Sequence, residues 1–323
     1  MHSEISSLLK SQHKDYNRVC FTIMAKYLTA EEFAEFNTEM ARLKSIKWHG
    51  YTKTLKEVGI TYLGNVAQSA KLRHSYYHKV STYGIYMAPA DLSGYNVCPN
   101  SEYCKQFCLN GSGQNKCDEL ARGIEGSKIN QSRIKKTRLF HENKAVFMGL
   151  LIHEINKYKK QAEKRGMGFS VRLNGTSDLS PLAFRDPETG KNILELFPDV
   201  QFYDYTKVPT RIRLMQQYPN YDLTLSYNGY NWDECEKFLN EGGKVAVVFF
   251  DEKMPASYHG FPITDGNEYD MRYLDPAKHV IGLHYHKTAN DYYIDPKDGI
   301  RKFRVPETPF VVKVNDPNID WVF

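Results

Sequence analysis

The chain has 323 residues, 41% hydrophobic and 13% aromatic, enough for one large domain or two modest ones around a real core. No run approaches the roughly 18 apolar residues of a membrane helix, and the opening stretch MHSEISSLLKSQHKDYNR shows no apolar signal region, so no membrane span is expected and a cytoplasmic protein is the default expectation. The net charge of +5 is uneven: residues 1–165 carry 26 Lys+Arg against 15 Asp+Glu, a net +11, and residues 166–323 carry 17 against 23, a net −6.

Residues 1–75 read as a helical N-terminal extension. In TAEEFAEFNTEMARLKSI, Thr29 is a candidate N-cap, and Phe33, Phe36, Met40 and Leu43 recur on one helical face. Residues 76–323 read as an α/β domain. TYGIYMAP is its first strand, and a cysteine-bearing loop over residues 96–117 follows directly. A long helical region runs from about 128 to 164, with Ile134, Leu139, Val146, Leu150, Leu151 and Ile155 at near-helical intervals. GMGFSVRLNG, VQFYDY, YDLTLSYN, KVAVVFF and HVIGLHYH are five further strands. Helices are expected at NILELFP, at PTRIRLMQQYP with Pro209 near its start, and at NWDECEKFLNEGG, which ends at Gly242 and Gly243. Strands apolar on both faces suit a parallel sheet covered by helices. The expected architecture is a partial (β/α)6 TIM-like barrel, whose site would sit at the C-terminal strand ends.

Polar residues crowd those ends. The second strand ends in Arg172, Asn174, Gly175, Thr176, Ser177 and Asp178, and the third in Asp204, Tyr205, Thr206 and Lys207. The fourth ends in Ser226, Tyr227 and Asn228, and the sixth in His284, His286 and Lys287. Each cluster alone reads as an ordinary polar loop; together they read as a ring around one mouth. ITDGNEYDMR adds Asp265, Asp270 and Arg272, as a substrate site or as a simple Asp-Gly turn. Arg133, Lys135, Lys136 and Arg138 form a basic stretch that could meet the phosphates of a nucleotide or nucleic acid, or be a solvated helical face.

The cysteine loop, NVCPNSEYCKQFCLNGSGQNKC, holds Cys98, Cys104, Cys108 and Cys117; Cys20 and Cys235 stand apart as packing residues. In a reducing compartment such a cluster points to metal or catalytic thiols rather than to disulfides. Three chemistries compete. Four thiolates could close a structural zinc site. Cys98, Cys104 and Cys108 could hold a 4Fe-4S cluster with one iron open. The thiols could also carry no metal.

The loop's place after the first strand resembles the radical S-adenosylmethionine superfamily. That resemblance implies a cluster on Cys98, Cys104 and Cys108, with S-adenosylmethionine across the strand ends at Asn174, Gly175, Thr176, Ser177, Asp178, Asp204, Lys207, Ser226 and Asn228. The spacing departs from that superfamily's C-x3-C-x2-C, being C-x5-C-x3-C here. A second resemblance rests on longer stretches: LSGYNVCPNSEYCKQFCLN, KTRLFHENKAVFMGLLIHEI, VRLNGTSDL, LFPDVQFYDYTK and GFPITDGNEYDMRYLDP, from about residue 50 to 295, are similar to the phage gene-product-88-like family of uncharacterised proteins. It implies a phage or plasmid-bearing bacterial host and supplies no activity.

The expected function is an iron–sulfur enzyme acting on a nucleotide or nucleic acid. The alternatives are a zinc-bearing, non-catalytic module that binds nucleic acid or a host protein, and a hydrolase that places a metal on the strand-end carboxylates and histidines.

Overall fold

The computed structural model describes residues 29–320 apart from 68, 252 and 314; Cys20 lies outside the described residues. Helix α1 (Ala30–Ser45) starts where the sequence places its cap. Thr29 Oγ1 accepts from Glu32 N at 3.2 Å, and Glu32 Oε2 accepts from Thr29 N at 2.8 Å, which satisfies two end donors reciprocally. Helix α2 (Tyr51–Val58), a short β1 (Gly64–Asn65) and α3 (Ala70–His74) lead into β2 (Val80–Ile85).

The helical region expected as one unit is two helices beyond a third. Helix α4 (Gly113–Gly126) already begins inside the cysteine segment, and α5 (Lys128–Glu142) and α6 (Lys144–Lys164) meet at Asn143. Asn143 leaves the helical conformation; its Oδ1 caps Val146 N at 3.2 Å, and its Nδ2 donates to the carbonyls of Leu43 and Ile46 at 3.0 and 2.8 Å. One carboxamide thereby ends one helix, starts the next and ties down the exit of α1. Phe36, Met40, Leu43, Leu55 and Val58 of the N-terminal helices share one core with Leu139, Phe147, Leu151, Val171 and Phe202.

The remaining elements in chain order are β3 (Gly168–Arg172), α7 (Ile193–Leu196), β4 (Gln201–Thr206), α8 (Leu214–Gln217), β5 (Tyr221–Ser226), α9 (Trp232–Asn240), β6 (Val245–Phe249), β7 (Ser257–Tyr258), β8 (Phe261–Asp265), β9 (Val280–His284), the hairpin β10 (Tyr292–Ile294) and β11 (Arg301–Phe303), β12 (Val311–Val312) and β13 (Ile319–Asp320). Among the described residues one sheet runs β1-β2-β3-β4-β5-β6-β9-β8-β7-β13, with β12 added to β6. The six strands read from the sequence are β2, β3, β4, β5, β6 and β9, all paired in parallel.

The architecture is mixed α/β, and the sheet is not closed into a barrel. Outside the parallel path, β2 pairs with β1 antiparallel and β9 pairs with β8, so both flanks already have partners. Strand β8 is the unexpected member. Pro262 interrupts its pattern, and it sits opposite Ser257 in an edge hairpin, where a missing N–H is tolerated. The sheet nevertheless curls. Lys71 Nζ of α3, beside β2, donates to Gly266 O at 2.9 Å just past β8; His74 Nδ1 lies 2.8 Å from Glu268 O; and the His78 and Tyr269 rings meet at 4.7 Å. The convex face buries Tyr83, Val171, Phe202, Leu223 and Val247 against helices. The concave face carries Ser170, Arg172, Tyr203, Tyr205 and Thr224 and is covered by residues 266–275.

Candidate metal and substrate site

After β2 the chain runs as a strap along the carboxyl ends of the strands. Val97 O accepts from Asp178 N at 2.8 Å, beyond β3. Asn100 Nδ2 donates to Lys207 O at 2.8 Å, beyond β4. The Tyr103 ring meets the Tyr230 ring at 4.2 Å, beyond β5. Gln106 O accepts from Asn290 Nδ2 at 3.0 Å, and Phe107 lies edge-on to Tyr285 at 6.5 Å, both beyond β9. The strap then returns toward α5. Asn110 Nδ2 donates to Asn130 Oδ1 at 2.9 Å, and the Arg133 guanidinium donates to Asn110 Oδ1. Ligands of parallel sheets bind at this carboxyl edge.

The strap carries Cys98, Cys104 and Cys108, all half-buried. Ala90, held at φ +47°, donates its N–H to Cys98 Sγ at 3.3 Å. Strained backbone of this kind collects at functional sites. The Cys98 thiol reaches toward Thr176 O at 3.9 Å. Burial pushes Cys98 up to about 12, opposed by the Ala90 hydrogen bond and reinforced by Cys108, Asp178 and Cys104. Burial pushes Cys108 up to about 11; the Asn110 N–H, Lys207 and Arg133 pull it down, and Cys104 pushes it up. The three sulfurs are therefore electrostatic neighbours, two of them in a desolvated place. They do not form a closed cage: among the described residues no three His, Cys, Asp or Glu side chains stand together to hold an ion. As a donor set, three soft thiols suit iron–sulfur clusters or zinc. Cys117 is not a loop residue. It lies exposed on α4, so it does not complete a four-thiolate shell in this arrangement, and Cys235 is buried on α9.

The strand-end residues come together, mostly as the frame that holds the strap. Gly175 N donates to Ile85 O at 2.9 Å, and a Cβ there would stand 2.7 Å from that oxygen, so only glycine allows the approach. Thr176 Oγ1 donates to Met87 O at 2.5 Å. Asn174 donates through N and Nδ2 to the two Asp204 oxygens at 2.8 and 3.0 Å, while its Oδ1 accepts from Ser177 Oγ and Leu179 N at 2.8 Å each. Asp178 accepts from Thr206 Oγ1 and Lys207 N at 2.9 Å each and pairs with Arg211. Asn228 accepts from Tyr230 N at 2.9 Å and Asn231 N at 3.1 Å, and Ser226 O accepts from Asn231 Nδ2 at 3.3 Å. Lys207 Nζ lies 5.4 Å from the Phe310 ring centroid. His284 Nδ1 stands 3.0 Å from Asp251 O, and His286 is exposed.

Asp204 is fully enclosed, and burial raises its carboxyl to about 7 against the two Asn174 hydrogen bonds. A raised folded pKa means a stability contribution present below the unfolded value of 3.8 and lost as pH rises through about 7. Asp204→Asn should therefore remove a fall in stability between about pH 4 and pH 7. Urea midpoints of both proteins across that window test this, because the difference isolates Asp204. Parallel curves would show that Asp204 is ionised in the fold throughout.

Of the basic stretch, Lys136 is buried, and Arg133, Lys135 and Arg138 are half-buried, each with a partner in the fold. Lys136 is buried with Nζ 4.7 Å from the Tyr62 ring centroid, and burial lowers it to about 8. Arg138 Nε donates to Ser93 O at 3.0 Å with its guanidinium 4.8 Å from the Phe36 ring centroid, and Lys135 Nζ donates to Gly59 O at 3.3 Å. Arg133 lies 5.4 Å from the Tyr86 ring centroid, beside Cys108. Basic residues on an amphipathic helix look solvated from spacing alone; here Lys136 is buried and the other three are partly covered.

The concave face holds groups only partly read from the sequence. Arg172 pairs with Asp270, whose Oδ2 also accepts from Tyr203 Oη at 3.4 Å. Arg272, wholly buried, stands 3.1 Å from Asp275, and Lys244 pairs with Asp222 at 2.9 Å. No helix among the described residues is long and apolar enough to cross a membrane. No curated protein and no solved structure matches the chain. Residues 50–298, most of the chain and the whole strap with its three cysteines, match the model of the family described as gene product 88, and the protein belongs to that phage family.

Proposed function

We propose that this protein is an iron–sulfur enzyme of the radical S-adenosylmethionine type, with Cys98, Cys104 and Cys108 as its three cluster ligands. The observation that carries the reading is the strap. It sets the three cysteines along the carboxyl edge of a parallel sheet, with the Cys98 and Cys108 thiols raised by burial and the cations Lys207 and Arg133 beside Cys108. Thiols pushed up to about 12 and about 11 stay protonated at neutral pH, and a bound metal is the strong positive charge that would convert them to ligands. Three ligands leave one coordination position open, which distinguishes a reactive cluster from a closed structural site.

Bound there, the cluster would supply an electron and an open iron to S-adenosylmethionine. The chain's own part is positional. Thr176 and Gly175 hold the β3 loop against the strap's entry, Asp178 fixes the β4 loop, and Ser226, Asn228 and Lys207 border the mouth. The Arg133 guanidinium is engaged with Asn110, so the reading favours a small-molecule substrate over a polymer.

Protein purified and reconstituted without oxygen should carry roughly four iron and four sulfide per chain with broad visible absorption. Cys98→Ser, Cys104→Ser and Cys108→Ser should each lose most of the iron, while Cys117→Ser keeps it. Colourless protein after reconstitution with iron and sulfide would overturn the reading. One zinc per chain, lost also in Cys117→Ser, would replace it with a structural clip.

A further inference from the structure

The concave face has a mismatch in its hydrogen bonding. Arg172 Nε, Tyr205 Oη, Thr224 Oγ1 and Arg272 Nε are all buried and without a partner. These atoms are neighbours. Tyr205 and Thr224 are register partners across β4 and β5, so their side chains share a face. The Arg172 guanidinium lies 4.8 Å from the Tyr205 ring centroid. Burial raises the Tyr205 phenol, and the charges of Arg272, Asp270, Arg172 and Asp275 all act on it. Buried polar groups are almost always partnered, and an orphan points to a missing water, ion or ligand. With Arg272 Nη1 the face holds five unpartnered donors against one unpartnered acceptor, Asp275 Oδ2, so acceptors are missing.

The surrounding charges are paired. Arg172 stands with Asp270, Arg272 with Asp275, and the half-buried Lys71 feels both Asp270 and the exposed Asp265. Lys244 and Asp222 neutralise each other. Asp275 Oδ2 is itself without a hydrogen bond, but at 3.1 Å from Arg272 Nη1 it is already matched in charge. The unpartnered donors, not a net charge, therefore decide what the position takes: a group that accepts several hydrogen bonds at once.

We infer that this face, at the carboxyl ends of β3 and β4, is an anion-binding position in which Arg172, Arg272, Tyr205 and Thr224 donate to a carboxylate or phosphate group of the substrate. Tyr86 connects it to the cysteines: its ring lies under Arg133, which neighbours Cys108, and its hydroxyl feels Arg172 and Asp270. As the substrate position of the proposed enzyme the assignment rests on that reading. Anion binding itself is measurable on metal-free protein, and so fails or holds separately.

The probes are inorganic phosphate and acetate, titrated into metal-free protein at constant ionic strength set by chloride, and read by calorimetry and thermal unfolding. Wild type should bind at least one of them saturably and gain Tm. Preference for phosphate assigns a phosphorylated substrate, and preference for acetate a carboxylic acid. Tyr205→Phe and Thr224→Val keep the volume and delete one orphan hydroxyl each. They should raise the Tm of the anion-free protein, because an unsatisfied buried hydroxyl is destabilising, and weaken binding about tenfold each. Arg172→Lys, which keeps a charge beside Asp270 but removes Nε, should weaken it further. Saturable binding absent in wild type, or unchanged in both hydroxyl variants, overturns the inference and leaves buried water as the occupant. Iron content of Tyr205→Phe should match wild type either way.

Discussion

Glu154→Ala should destabilise the protein by about 3–5 kcal/mol, a large share of the stability of an ordinary domain. Glu154 lies on α6 and is wholly buried. Its Oε1 accepts from Tyr51 Oη at 2.8 Å and Leu63 N at 2.9 Å, and its Oε2 accepts from Gly64 N at 2.9 Å and Tyr83 Oη at 2.5 Å. One carboxylate therefore joins α2, the turn into β1, the centre of β2 and α6. The chain meets this geometry with glycine at 64, where a Cβ would stand 2.4 Å from Gly84 O and 2.7 Å from the Tyr83 ring. Alanine at 154 would orphan two backbone N–H groups and two phenols in a dry place, each a loss of about 1–3 kcal/mol before relaxation. Glu154→Gln should lose less, because one amide oxygen still accepts while the NH2 faces donors. Urea unfolding of the three proteins checks the order. An alanine variant within about 1 kcal/mol of wild type would mean that water enters and takes over the four bonds.

The strands were legible because each run is short, β-branched or aromatic on at least one face, and bounded by turn residues. That is why β2 through β6 and β9 appear in the sequence, and why β8, carrying Pro262, does not. Glu154 was not legible. LIHEINKYKK reads as part of a helix, and nothing local reveals that Tyr51, Leu63 and Tyr83 converge on its acid from residues far away in the chain. The same limit hides the fate of Arg133, Lys136 and Arg138. Their spacing gives a basic stripe, and only the packing of α1, α2 and the strap shows that Lys136 is buried and the other two are partly covered. At the site the thiols were legible as a cluster, since three cysteines within eleven residues need a reason. Cys117 was misplaced because GSGQNKC suggests a loop, whereas α4 begins at Gly113. Polar residues at strand ends mark the carboxyl edge of the sheet, along which the strap runs. Their partners could not be read: Asn174 and Asp204 close on each other, while Arg172 and Tyr205, one strand face away, keep open donors.

Asp178→Ala should produce the second large loss, and it should reach both stability and metal. The Asp178 carboxylate is mostly enclosed with Arg211, accepts from Thr206 Oγ1 and Lys207 N at 2.9 Å each, and sits in a residue whose own N–H holds Val97 O at 2.8 Å. Removing the carboxylate strands a largely buried guanidinium, which typically costs about 3–5 kcal/mol. Asp178→Asn can still accept from Lys207 N but loses the charge that Arg211 needs, so an intermediate loss is expected. The second effect follows from position. Val97 precedes Cys98, and Lys207 O anchors Asn100, so the Asp178 frame fixes the strap on both sides of its first cysteine. Loosening it widens the range of Cys98 positions, and a ligand set that must be ordered on binding binds more weakly. Reconstituted Asp178→Ala should therefore hold less iron than wild type under conditions, set by urea titration, in which both are folded. Glu154→Ala, equally destabilised but remote from the strap, should keep its iron under the same folded conditions. If the two variants lose iron in parallel, global instability rather than the strap's frame governs metal retention; if Asp178→Ala alone loses it, the β3 and β4 loops are what hold the cysteines in place.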